Sequence, residues 1–205
     1  MEDPMYRHIL PDESVRLRAL EIFFQRYIEM LEPYSDLYTT SEQYEAVALV
    51  FRSNAMADTL WAKVKYMKQI IVAIIKASSI SRLIGIRGYV RGVSILRSMS
   101  SSWLSMLGDR PYLHLDMLVV QQRYRGKGYV SKIMEPLLAE CRANDTVCTL
   151  ETQTPSNLPM YKHYHFRTVN VIPLPNSLLE QYCMVYTPTD TDTDFYSESR
   201  TEGEP

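Results

Sequence analysis

Residues 113–120, LHLDMLVV, are almost wholly apolar and end on the β-branched pair Val119 and Val120, a pattern that predicts a buried strand. The polarity then switches: residues 121–129 are polar and basic and carry Gly126 and Gly128. From Val130 the apolar positions are Val130, Ile133, Met134, Leu137, Leu138 and Cys141, one face of a helix. The order is strand, glycine-rich basic loop, helix N-terminus.

The same patterns organise the rest of the chain. Val15, Leu17, Leu20, Phe23, Phe24, Tyr27, Ile28 and Leu31 cluster toward one side of a helix over 12–31, with Asp12 as N-cap and Glu32-Pro33 as its end. Strands are predicted at about 36–40 and 44–52, joined by a turn at Thr40-Ser41-Glu42 as a hairpin. Helical spacing returns from Leu60 to Ile75, breaks at Gly85, Gly88 and Gly92, and resumes from Ile95 to Leu107. After the central strand, loop and helix come a strand at 147–152, a short helix over about 157–164, a strand at 166–172 and a last strand at 181–187. The order from residue 36 on is that of an α/β protein with a mixed sheet.

Composition narrows the class. The 205 residues are 46% apolar and 22% charged, the profile of one ordinary globular domain. Net charge is −2, too small for a strong nucleic-acid field. Residues 187–205 hold six acids against Arg200, so residues 188–205 read as an acidic flexible tail behind a single domain over 1–187. Cys141, Cys148 and Cys183 are odd in number and lack CxxC spacing, which predicts reduced thiols in a cytoplasm and no metal site. The opening MEDPMYRHIL carries charge at once and the most apolar run, Ile70 to Ile75, falls short of the ~20 residues of a span. Neither signal peptide nor membrane contact is expected.

The loop between strand and helix has a specific chemistry. The first turn of a helix leaves backbone N–H groups unpaired and partially positive, and glycines let a ligand approach the main chain. Arg123, Arg125 and Lys127 add positive charge, so the loop predicts a phosphate or pyrophosphate site. Neither GxxxxGK[ST] nor GxGxxG is present.

The stretch resembles the acyl-CoA loop of the GCN5-related N-acetyltransferases, L-x-V-x-P-x-x-[RQ]-x-x-G-x-[GA], with Leu118, Val120, Arg125 and Gly128 at matching positions. Gln122 stands in place of Pro and Val130 in place of Gly or Ala. A second segment, LETQTPSNLPMYKHYHF, is similar to the family's LET-x-N-x-x-N-V-x-x-Y-x-x-x-GF. Leu150, Glu151, Thr152, Asn157, Tyr161 and Phe166 match; Thr154 replaces Asn and His165 replaces Gly. The resemblance covers about 112–187. It implies a mixed, mostly antiparallel sheet flanked by helices, with 54–107 as a helical insertion before the central strand. It also implies an opening strand, for which the sequence offers no candidate.

The implied activity is direct transfer of an acetyl group from acetyl-CoA to an amine of a small molecule or peptide. Leu118, Val119 and Val120, the loop Arg125, Gly126, Lys127, Gly128, Tyr129 and Val130, and Asn157 are the implied cofactor contacts. Asn157 is alternatively a helix cap. Tyr161 stands at the family's general-acid position, where a phenol of pKa ~10 can protonate a thiolate. Strict alternation puts His114, Asp116, Leu118 and Val120 on one strand face, opposite Leu113, Leu115, Met117 and Val119. His114 matches the glutamate base of the histone-acetylating branch, or is a core histidine; Asp116 is the second candidate base. A CoA-binding sensor without chemistry remains an alternative, and a homodimer remains open. No nucleic-acid partner is expected.

Overall fold

The structure, a computed structural model, describes residues 4–55, 59–98, 101–175 and 177–188. The predicted acidic tail lies almost wholly outside them. Helix α1 (Pro4–Ile9) and helix α2 (Glu13–Leu31) precede the hairpin β1 (Ser35–Thr39) and β2 (Ala46–Arg52). Then come α3 (Leu60–Ala77), α4 (Ser81–Ser98) and a 3-10 segment Ser101–Leu107. The second half runs β3 (Tyr112–Val120), α5 (Tyr129–Asn144), β4 (Val147–Thr152), α6 (Leu158–His163), β5 (Arg167–Pro173) and β6 (Glu180–Tyr186). Among the described residues no strand precedes α2; α1 stands in its place.

Among the described residues six strands form one sheet in the order β1-β2-β3-β4-β6-β5. Only β3 and β4 are parallel; every other pair is antiparallel. Helix α5 covers one face. Its Ile133, Met134, Leu137, Leu138 and Cys141 are buried against Ala46, Ala48, Val50, Leu113, Leu115, Cys148, Leu150 and Met184. Full burial of such side chains contributes about 1.5–3 kcal/mol each. The other face takes the insertion: Trp103 and Leu107 pack on Val147, Cys183 and Val185, and α3 packs on α2. A separate apolar cluster joins α1, α2, the turn between α3 and α4, and α4 itself, from Met5 and Ile9 to Ala19, Leu20, Ile80 and Ile95.

Asp12 caps α2 as its sequence predicts, accepting from the Ser14 backbone N–H at 2.9 Å. The apolar pattern of α2 is less faithful, since Leu17 and Ile28 are exposed. Arg16 is buried instead, because its guanidinium donates to the carbonyls of Leu10 (2.7 Å) and Pro11 (2.8 Å) and so needs no water.

Strict alternation along β3 does not hold. Val50 pairs with Leu115 and Leu49 with Met117, so Asp116 is an extra residue with no partner on β2, a β-bulge. The bulge flips the parity after it. Leu118 and Val120 therefore pack with Leu113 and Leu115 toward α5, rather than sharing a face with His114. Val119 points outward.

Candidate active site

The sheet opens at its centre. β3 and β4 pair from Tyr112↔Val147 to Leu115↔Leu150 and then part. Beyond that point β3 continues to Val120 with β2 alone, while β4 continues with β6. The backbone edge of β3 from Asp116 to Val120 thus faces a gap. The Gln121 N–H donates to Glu45 O on the β2 side at 2.9 Å. Donors alternate sides along a strand, so the Val120 N–H points the other way, into the gap.

The loop that follows is held from outside. Gln121 Nε2 donates to the carbonyls of Gln43 (3.1 Å) and Tyr44 (2.8 Å). Residues Gln122–Tyr124 make one 3-10 turn, and Gly126 (φ 72°) and Gly128 (φ 76°) both adopt the left-handed conformation that favours glycine. A Cβ placed on either would meet nothing within 4 Å, so the space over the loop is open. Gly128 is the N-cap of α5 and supplies no side-chain cap, which leaves the first N–H groups of the helix for an incoming anion. Arg123, Arg125 and Lys127 are exposed around it. Arg123 lies over the Tyr124 ring at 4.8 Å, and Arg125 Nε donates to Val120 O at 3.4 Å. Tyr129 and Val130, the first residues of α5, are half-buried and pack against the core.

Across the gap lies α6. Tyr161 is buried in the α5-side core, and burial pushes its phenol up to about 12. Its position is set by the turn that ends α6: Phe166 N–H donates to Tyr161 O (3.1 Å) and His165 N–H to Lys162 O (2.9 Å), a Schellman motif. The Tyr161 and Phe166 rings meet edge-on at 6.1 Å. His165 occupies the left-handed position at φ 63°. Asn157 is the N-cap residue of α6, yet its side chain makes no cap bond. Its amide donates to the Thr152 hydroxyl at 3.4 Å instead, which ties α6 to the end of β4. Ser131 and Tyr164 hydroxyls meet at 2.8 Å and tie α6 to the start of α5.

The opposite face carries a buried polar group. Asp116 accepts from Tyr27 Oη at 2.7 Å, while its second carboxylate oxygen is buried without a partner. Burial pushes its carboxyl up to about 6, against the lowering effect of the Tyr27 bond. Burial and the Asp116 charge likewise raise the phenols of Tyr27 and Tyr66. Glu151 accepts from Trp103 Nε1 of the insertion. His114 is buried with Nδ1 at 2.9 Å from Thr149 Oγ1, and burial lowers its imidazole to about 4.

Arg125–Val130, Asn157 and Tyr161 thus belong to the elements that border the gap beside Leu118–Val120, and Asp116 lies on the opposite face of the sheet. Sequence reasoning missed Tyr27, Tyr66 and Trp103. Each comes from a helical element that carries no motif and reaches the site only through tertiary packing.

A model described as the acetyltransferase (GNAT) family matches residues 26–166, more than half of the chain. The chain belongs to the GNAT acetyltransferase family. Members of this family use acetyl-CoA as co-substrate. Among solved structures, a histone acetyltransferase HPA2 and related acetyltransferase from Corynebacterium glutamicum matches with 16% identity and TM-score 0.58, over 92% of this chain and 84% of that one. Arylalkylamine N-acetyltransferase 2 from Aedes aegypti matches with 11% identity and TM-score 0.51, over 92% and 88%. Ard1 from Thermoplasma volcanium reaches 23% identity over 38% of this chain and 56% of its own, with TM-score 0.35. No curated protein matches the chain. The insertion Leu60–Leu107 sits within this GNAT fold between the second and third strands.

Proposed function

We propose that this GNAT protein transfers the acetyl group of acetyl-CoA directly to the amine of a small molecule or peptide. The observation that carries the reading is the parting of β3 and β4 after Leu115 and Leu150 beside an uncapped, glycine-bounded helix start. The backbone amides of Arg125 to Val130 hold the diphosphate, with Arg125 and Lys127 adding charge. The pantetheine arm lies along the open edge Leu118–Val120 and meets Asn157. The Val120 N–H donates to the thioester oxygen as it gains negative charge.

Asp116 takes the proton of the attacking amine. Its unpartnered oxygen and raised affinity for a proton suit that role at neutral pH. His114 is less suited, because burial keeps it neutral and its Nδ1 is engaged with Thr149. The amine nitrogen bonds to the carbonyl carbon, the C–S bond breaks, and the departing thiolate takes the Tyr161 proton. The Tyr161 hydroxyl has no hydrogen-bond partner among the described residues and so is free to serve. Cys141, Cys148 and Cys183 are buried free thiols, which supports a reducing compartment such as the cytoplasm.

The test is thiol release from acetyl-CoA with a panel of amines. An active amine is expected, and Tyr161→Phe is expected to lower kcat by about 100-fold while acetyl-CoA affinity stays within a factor of two or so. Binding of acetyl-CoA without thiol release on any amine would leave a cofactor-binding domain and overturn the reading.

A further inference from the structure

Helix α3 is built inside out. Its inward side holds Ala62, Tyr66, Gln69, Ile70, Ala73 and Ala77. Tyr66 packs edge-on against Tyr34 at 5.3 Å, and Tyr34 Oη donates to Gln69 at 2.7 Å. The outward side carries Leu60, Trp61, Val64, Met67, Ile71 and Ile75, with Leu60 80%, Trp61 74% and Ile75 65% exposed. At 100° per residue these six form one stripe along a helix of 18 residues, about 27 Å long. A soluble domain rarely leaves such a stripe in water.

The charges along α3 itself are of one sign, and the segment after it stays basic. Between Asp58 and Asp109 the chain has no acid and eight bases: Lys63, Lys65, Lys68, Lys76 on α3, and Arg82, Arg87, Arg91, Arg97 on α4. All eight are exposed. With a total of −2, the rest of the chain carries −10. Beside the stripe, a hollow of about 340 Å³ between α2 and α3 is lined by Arg26, Lys65, Lys68 and Lys76, with Glu29 the single acid in its lining.

We propose that α3 docks the protein on an anionic lipid surface. The apolar stripe enters the boundary of headgroups and acyl chains, Trp61 sits at that boundary, and the flanking lysines meet lipid phosphates. A second copy of this face is the poorer occupant, because pairing would set the four lysines of α3 against four more. The acidic tail beyond residue 188 has the right charge but offers only Phe195 and Tyr196 as large apolar groups. The stretch Leu60–Leu107 is long and apolar enough by composition to cross a membrane. It breaks at Ser78–Ile80 and at the non-helical Gly85, and one side of α3 is sheathed by α2, so α3 lies in the surface rather than spanning it.

The test is flotation of the full chain with phosphatidylcholine vesicles, with and without phosphatidylglycerol. Binding is expected only with phosphatidylglycerol and is expected to weaken as salt rises. Lys65→Gln with Lys68→Gln should weaken it by about 30-fold, and Ile71→Gln with Ile75→Gln by at least about tenfold. These side chains are exposed, so far-ultraviolet circular dichroism should be unchanged. No binding to phosphatidylglycerol vesicles, equal binding by the variants, or a dimer that the Ile71→Gln, Ile75→Gln variant dissolves would each overturn the proposal. Binding is read without acetyl transfer and so stands or falls apart from the enzyme reading.

Discussion

Asp116 and His114 sit two residues apart on one strand, both buried, and titrate in opposite directions. Asp116 is raised to about 6 from 3.8 because burial disfavours its charge. His114 is lowered to about 4 from 6.5 for the same reason. As pH falls from 6 toward 4, the folded state gains from protonating Asp116, whereas His114 opposes folding because the unfolded imidazole takes up a proton that the buried one does not. Asp116→Asn removes the first effect. It should therefore raise stability at pH 7 by about 1–3 kcal/mol, steepen the loss of stability in acid, and lower acetyl transfer; denaturant melts at several pH values measure the first two. The Tyr27 bond works against burial by favouring the carboxylate. If Asp116 is the base, kcat/KM of the native chain rises with pH through about 6, and Tyr27→Phe shifts that rise to higher pH. An unshifted profile in Tyr27→Phe would remove Asp116 from the role.

At the scale of elements, the end of α6 carries a built-in cost. The Schellman turn demands a left-handed residue, and His165 takes it at φ 63° where glycine meets no Cβ penalty. His165 is exposed, so nothing in the packing offsets the cost. His165→Gly should stabilise the fold by about 0.5–1 kcal/mol, net of the entropy glycine adds to the unfolded chain. The corresponding rise in Tm is about 1–4 °C by calorimetry; a fall would contradict the turn assignment. Elements with a clear period were legible from sequence: β4 spans Val147–Thr152 as expected, and α5 starts one residue before Val130. The loop glycines were legible because left-handed turns and open backbone need them. The bulge at Asp116 was not, because an extra residue in a ladder depends on the partner strand and leaves no mark on alternation. Nor was the facing of α3 legible: an apolar stripe predicts burial, and here the stripe turns outward.

For the whole molecule, the insertion is both wall and face. Its inner side brings Tyr66 and Trp103 toward Asp116 and Glu151, while its outer side carries the basic apolar surface. A surface-docked orientation would present the acceptor side of the sheet in a fixed relation to the bilayer. The enzyme reading depends on the cofactor lying in the gap between β3 and β4, gripped by the main chain where α5 begins. Titration calorimetry with CoA and with pantetheine, on the native chain and on Gly128→Val, tests that most directly. CoA should bind at least about 100-fold tighter than pantetheine, since two charge-assisted bonds to the diphosphate supply that much. Gly128→Val, strained at φ 76°, should lose most of the difference while remaining folded. Equal affinity for CoA and pantetheine, or no binding of CoA at all, would contradict the account.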